Sequence, residues 1–128
     1  MLSMEPKLAV AALLVHLAAI DGQVTDAERE ALEGTLMDYT GLGDSEVSKL
    51  IAEATRQDQE SVDFYRFTSA LSSLDNGEKL EIIRMMWQVV FADKKNHELE
   101  DNMVWRIAEL IGISARQRTT LRNQMAKS

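Results

Sequence analysis

Four acidic residues recur at a fixed spacing in this chain, and their side chains could bind a cation. Asp21 precedes Glu28 by seven residues, and Asp93 precedes Glu100 by the same interval, 72 positions further along. Hard cations such as Ca²⁺ and Mg²⁺ prefer carboxylate and carbonyl oxygens. If the two turns face each other, the four carboxylates converge. We therefore regard Asp21, Glu28, Asp93 and Glu100 as candidate metal ligands.

The position of each Asp also allows a structural interpretation. Both follow an apolar run that we interpret as a helix, and the C-terminus of a helix carries partial negative charge. An Asp at that end needs a compensating partner. The partner could be the N–H groups of the following helix, which would make Asp21 and Asp93 structural staples, or it could be a cation. Lys94 and Lys95 place positive charge beside Asp93, which weakens a cation site there.

The similarity between the two acidic stretches extends to the residues before them. Each Asp ends an apolar run, and each run carries one polar residue at the same place, His16 in the first and Gln88 in the second. A period of this length is too long for a solenoid repeat. We therefore predict a duplicated half-domain, with repeat 1 at about 7–42 and repeat 2 at about 79–113, related by a pseudo-two-fold axis.

Apolar residues at helical spacing predict an all-α fold with short connections and no strand. Seven helices are expected, at about 5–20, 25–38, 45–56, 61–74, 77–92, 96–111 and from 115 onward. Helices 1 and 5 are apolar nearly all round, so they should form the buried centre of a single domain spanning 1–128. Full burial is expected for Leu14, Leu17, Met86, Val89 and Val90. A polar break is expected at 57–60.

The histidines and tryptophans are better explained by packing than by chemistry. His16 lies on a buried helix, where we expect a hydrogen-bonded core histidine with Gln88 as its candidate partner. His97 fits a helix cap or a surface position. Trp87 and Trp105 lie on apolar faces and are expected in the core. The sequence contains no nucleophile–base arrangement, Gly-rich phosphate loop or dinucleotide fingerprint, so no catalytic or cofactor-binding residue is assigned.

Composition excludes several classes of protein. The chain has 128 residues, 45% of them hydrophobic and 27% charged, which is typical of a soluble globular domain. A formal net charge of −7 would repel a phosphate backbone, so nucleic acid is not an expected partner. The apolar run from Leu8 to Ile20 is too short to span a bilayer. Because Glu5 lies where a signal peptide needs positive charge, we expect a cytoplasmic protein without membrane insertion.

Charge is unevenly distributed along the chain. The segment from Asp21 to Asp63 contains twelve acidic and three basic residues. The segment from Asn102 to Ser128 contains one acidic and five basic residues. Each segment could simply be a solvated surface, and the basic one could alternatively dock an acidic partner.

The acidic stretches resemble the TerB-like family, which includes the tellurite-resistance protein TerB. The family pattern is an apolar helix, Asp-Gly, a hydrophobic residue two positions on, and a Glu that opens the next helix. Asp21, Gly22, Val24 and Glu28 match it, whereas Lys94 and Asn96 depart from it in the second copy. The resemblance, which spans about 7–115, implies a helical fold, a suspected site at the acidic residues, and a role in tellurite or other stress responses. It also implies protein partners, some of them membrane-associated.

Three functions remain open from the sequence. The first is a non-catalytic binding or adaptor domain that holds Ca²⁺ or Mg²⁺ at its paired acidic turns. The second is a helical protein-interaction module in which the acidic residues only cap helices. The third is a hydrolase in which paired carboxylates divide acid and base roles beside a metal. A hydrolase needs a sizeable cleft next to Asp21 and Glu28, whereas the other two functions do not.

Overall fold

Helices account for nearly all of the secondary structure in this computed structural model, which describes residues 5–20, 24–60, 65–92 and 98–126. In these ranges the chain forms seven helices and no strand. They are α1 Pro6–Ala18, α2 Asp26–Thr40, α3 Asp44–Glu60, α4 Tyr65–Leu71, α5 Asn76–Val90, α6 Glu98–Ile111 and α7 Ala115–Ala126. The expectation of an all-α fold is confirmed.

Helix α1 lies at the centre of the fold. Pro6 occupies its first turn, where the missing N–H is not needed by the helix. Nine of its 13 residues are buried, because the helix packs against α2, α3, α4, α5 and α6. This nearly complete burial explains why its sequence lacks a polar face. Within the described residues, no helix combines the length and apolar content needed to cross a bilayer.

Helix α5 is the second buried element. It packs against α1, α2, α6 and α7, and seven of its 15 residues are buried. Its aromatic residue Trp87 is fully buried, as predicted. The predicted core is confirmed, since relative exposure is 0% for Leu14, Leu17, Met86, Val89 and Val90.

The ends of corresponding helices lie 72 residues apart. Helix α1 ends at Ala18 and α5 at Val90, while α2 begins at Asp26 and α6 at Glu98. The backbone bond from the Ala19 N–H to the carbonyl oxygen of Val15 has a counterpart, from Phe91 to Trp87. These matches are what a duplication predicts locally. The superposition of the two repeats and their two-fold axis stay predictions.

Two helix boundaries differ from the predicted ones. The polar break expected at 57–60 is wrong, because α3 continues through Glu60. The side chain of Arg56 donates to both Glu53 and Glu60, and such pairs three and four residues apart stabilise a helix without apolar contacts. Helix 4, expected to reach 74, ends at Leu71 because the chain must turn before Asp75 caps α5 in an extended conformation.

Candidate functional site

Glu28 is the candidate ligand whose surroundings are best defined. It is the third residue of α2, and it forms a capping box with Thr25 at the start of that helix. The Thr25 N–H donates to Glu28 Oε1 at 3.1 Å, and the Glu28 N–H donates to the Thr25 hydroxyl oxygen at 3.1 Å. This reciprocal pair satisfies two of the N–H groups that a helix start leaves without partners. The structural interpretation therefore accounts for one carboxylate oxygen of Glu28.

The other carboxylate oxygen of Glu28 is not explained by the cap. Glu28 has a relative exposure of 1%, and its Oε2 makes no hydrogen bond to any of the described residues. Burying a carboxylate oxygen without a hydrogen bond or a counter-charge is costly. A hard cation is one group that would compensate it, and a carboxylate oxygen is a donor that such a cation prefers.

Glu100 occupies the equivalent position in the second repeat. Like Glu28, it is the third residue of its helix, α6. Like Glu28, it is a buried carboxylate, with a relative exposure of 4%. These are the only two acidic residues among the buried side chains of the described part of the chain. The two glutamates that the sequence spacing identified are therefore the two that are buried.

The two aspartates of the candidate site, Asp21 and Asp93, lie outside the described residues. The same holds for His97 and for the lysines that follow Asp93. Among the residues that are described, no group of three or more potential ligands comes together. The convergence of all four carboxylates thus stays a prediction.

His16 has a different partner from the one expected. Its Nδ1 lies 2.9 Å from Asp58 Oδ1, and both side chains are half-buried. Gln88 instead accepts a hydrogen bond from the Thr35 hydroxyl at 3.4 Å, within the contact between α2 and α5. His16 is therefore hydrogen-bonded as predicted, but by a residue of α3 and at a partly open position.

Two arginines of the basic C-terminal segment make contacts with other helices of the fold. Arg118 donates to the carbonyl oxygen of Trp105 at 2.9 Å, and its guanidinium lies 4.8 Å from the centre of the indole ring. Arg122 donates to Asp101 Oδ2 at 2.9 Å and lies over the ring of Trp87. Trp105 is half-buried under Arg118, so its expected position in the core is only partly correct. These two arginines hold α7 against α5 and α6.

Sequence reasoning missed an apolar groove between α1, α2 and α3. The groove has a volume of about 410 Å³. Its floor is formed by the C-terminal half of α1, and its walls by Leu32 of α2 and Ile51 of α3. Val24, at its edge, is 37% exposed, which is unusual for a large hydrophobic residue in this fold. Val24 belongs to the acidic motif, where it was noted only as a match to the family pattern.

Comparison with known proteins identifies the family. The sequence model of the family described as "Tellurite resistance protein TerB" matches residues 7–123. No curated protein and no solved structure matches the chain. The match includes both buried glutamates and nearly all of the helical part of the fold. The chain therefore belongs to the TerB family.

Proposed function

We propose that this protein is a non-catalytic binding and adaptor domain of the cytoplasm that holds a divalent cation at its two acidic turns. The ligands would be Asp21 and Glu28 in the first turn and Asp93 and Glu100 in the second. The observation that carries the proposal is the buried Oε2 of Glu28, which no described residue satisfies. Membership of the TerB family supports it, and we extend the stress-response role in the family's name to this chain as part of the proposal.

The residues of this chain would each contribute in a defined way. Glu28 is fixed by its capping bond to Thr25, so its free oxygen is held in place before any ligand arrives. Glu100 is buried at the matching position of α6. A bound Ca²⁺ or Mg²⁺ would neutralise these buried carboxylates and cross-link the starts of α2 and α6. Its role would be structural, in that it stiffens a surface that partners recognise.

The experiment is a cation titration of chelator-stripped protein. Adding Ca²⁺, Mg²⁺ or Mn²⁺ should raise the melting temperature, since a ligand at 100 times its dissociation constant stabilises by about 2.7 kcal/mol. Asp21→Asn should abolish that rise. Asp44→Asn is the matched control, because Asp44 is also an aspartate near a helix start, but it is exposed on α3. A melting temperature unmoved by millimolar concentrations of all three cations would refute the cation site.

A second candidate function is a helical interaction module in which the acidic residues only cap helices. The reciprocal bonds between Thr25 and Glu28 favour it, because they already give Glu28 a structural purpose. This alternative predicts no response to any cation. It also predicts that Glu28 contributes to the free energy of unfolding through the cap alone.

The hydrolase alternative has less support. It needs a cleft lined by the paired carboxylates, where a substrate could meet them. The 410 Å³ groove beside Val24 is instead lined mainly by apolar side chains, and Glu28 is not one of its lining residues. That groove suits a binding partner better than a hydrolytic reaction.

A further inference from the structure

The groove between α1, α2 and α3 is an apolar surface that no element of the described chain covers. Val15 and Ala18 of α1, with Ala19 just after its end, form its floor. Its volume of about 410 Å³ lies in the range of sites that hold a ligand or an anchoring side chain. Because Val24 remains 37% exposed at its edge, the apolar surface continues out of the groove toward solvent.

The groove is long enough for a helix. Ser48 and Thr55 both line it, and both belong to α3. Seven residues along a helix span about 10 Å. A second helix laid along α3 would likewise place side chains seven positions apart about 10 Å from each other. An amphipathic helix could thus place apolar side chains at i, i+3 or i+4, and i+7 in this groove.

Exposed acidic side chains flank the groove on both of its walls. Asp26 and Glu30 of α2 and Asp44 of α3 are exposed acidic residues that lie one helical turn from residues lining the groove. On the rim, Glu33 is the one acidic residue that lines the groove; it is exposed, and its carboxylate makes no hydrogen bond or ion pair within the described part of the chain. Arg29 is the one basic residue among the groove-lining side chains. A partner with positive charges beside its apolar stripe therefore complements this surface.

We propose that this groove docks a cationic amphipathic helix of a partner protein, with apolar anchors over α1 and lysine or arginine side chains beside the acidic rim. The inference rests on the adaptor part of the proposed function and does not depend on a cation. It assigns a partner surface to the first half of the chain. The basic segment that the sequence singled out is partly occupied by contacts within the fold.

A defined peptide can test the groove directly. The probe is a fluorescein-labelled helix of about 14 residues, four turns, with leucines on one face and lysines elsewhere. A second peptide carries glutamate in place of every lysine. Fluorescence anisotropy should detect binding of the lysine peptide and not of the glutamate peptide. The affinity should fall as salt is added, because the attraction between exposed charges is screened.

Two variants of the protein make the test specific. Ala52 is exposed and lines the groove, so Ala52→Arg should fill it, repel the lysine peptide and weaken binding by at least about tenfold. Asn123→Arg is the matched control, because it adds the same charge at an exposed position of α7, which packs on α5 and α6. It should change affinity by less than about twofold, since distant charges are screened. Arginine is a good helix former, so circular dichroism should show both variants folded.

A charge reversal at the rim gives a further test. Glu33→Lys leaves the groove open and reverses one rim charge. It should weaken binding of the lysine peptide and strengthen binding of the glutamate peptide. If both peptides respond to Glu33→Lys in the same direction, charge complementarity does not select the partner and the proposal is overturned.

Other occupants of the groove would produce different results, and each would overturn the proposal. A wild-type dimer that Ala52→Arg converts to a monomer in light scattering would assign the groove to a second copy of this chain. Binding of decanoate that Ala52→Arg abolishes, without peptide binding, would assign it to a small amphiphile. Peptide binding that Ala52→Arg leaves unchanged would place the adaptor surface elsewhere. The peptide assay should be run with and without EDTA. Peptide binding that EDTA does not change would stand even if the cation site fails, so the two failures remain distinguishable.

Discussion

The Nδ1 atom of His16 lies 2.9 Å from Oδ1 of Asp58, and this contact joins the central helix α1 to α3. The two residues are 42 positions apart in the chain. Apart from Lys7 in the first turn, the imidazole is the one polar side chain of α1, and its partner lies in the last turns of α3. The pair is half-buried, with side-chain exposures of 32% and 19%, so solvent weakens it only in part.

A double-mutant cycle should measure this contact. We expect His16→Ala and Asp58→Ala to show a coupling free energy of about 1 kcal/mol, the usual net value of a hydrogen bond in a protein. The measurement is urea unfolding of the wild type, both single variants and the double variant. Distant sites add to within about 0.3–0.5 kcal/mol, so a coupling inside that error would mean that the contact contributes nothing to stability.

The helices could be predicted from the sequence, but the contact between His16 and Asp58 could not. Apolar residues mark buried helix faces well, which is why α1, α5 and their core residues were predicted correctly. The last turn of α3 contains no apolar residue, so hydrophobic spacing ended the helix too early. That error placed Asp58 in a loop and removed it from the possible partners of His16. The ion pairs that extend the helix leave a weaker pattern than burial does.

The candidate site was predictable to a similar extent. Spacing between the two repeats identified Glu28 and Glu100, and both are buried. The capping bond of Glu28 was also predictable, because Thr25 and Glu28 form a known local pattern. The groove was not, since it arises where three helices meet and depends on which side chains leave space. A surface of this kind has no signature within any single helix.

Because Leu17 belongs to the buried helix α1, we expect Leu17→Ala to lower the free energy of unfolding. Leu17 is fully buried, so truncation should cost about 2–5 kcal/mol through lost contacts and a residual cavity. Leu110→Ala is the control, because Leu110 is 41% exposed and should change stability by less than about 0.5 kcal/mol. Chemical unfolding measures both. A similar small change for both variants would mean that the inward face of α1 is misassigned.

The ion pairs of α3 should make its last turns sensitive to acid. The side-chain hydrogen bond from Arg56 lowers the pKa of Glu53 from 4.5 to about 2. A pKa that is lower in the folded state means that the pair stabilises fully above pH 4.5 and loses its contribution as the pH falls toward 2. In an NMR titration of side-chain carboxyls, Arg56→Gln should return the pKa of Glu53 toward 4.5.

The control for that titration is Lys49→Gln, which removes a cation from the same helix but leaves the Arg56 bond intact. The pKa of Glu53 should then stay low. Amide hydrogen exchange at 57–60 should become faster in Arg56→Gln only, because the last turns of α3 would lose their side-chain support. An identical Glu53 titration in the wild type and Arg56→Gln would show that the pair is not formed in solution.

Arg122 should contribute to stability by its shape as well as its charge. It bonds to Asp101 through two nitrogens and lies 5.5 Å from the Trp87 ring and 5.6 Å from the Phe91 ring. Lysine cannot reproduce a planar fork that also stacks on aromatic rings. Arg122→Lys should therefore lose about 1 kcal/mol in chemical unfolding. Arg116→Lys is the control, because Arg116 is exposed and its substitution should lower the free energy of unfolding by less than about 0.5 kcal/mol. Equal losses for the two variants would argue against a specific role for Arg122.

Two substitutions separate the two roles of Glu28, and the first is Glu28→Gln. Glutamine at this position can still accept the Thr25 N–H, so Glu28→Gln should preserve the capping box while removing the charge. If Glu28 helps to hold a cation, this variant should lose the metal-dependent rise in melting temperature. Its stability without metal should be unchanged or higher, because a buried carboxylate has been neutralised.

Thr25→Ala is the complementary change. It removes the hydroxyl that accepts the Glu28 N–H, so it should cost about 0.5–2 kcal/mol without metal. The carboxylate of Glu28 remains, so the rise in melting temperature on adding Ca²⁺ or Mg²⁺ should persist. If the acidic residues are only caps, metal has no effect on either variant, and Glu28→Gln should then lose about as much stability as one charge-assisted bond to a backbone N–H contributes. Melting curves of the two variants, with and without chelator, therefore assign Glu28 to the cap alone or to both roles.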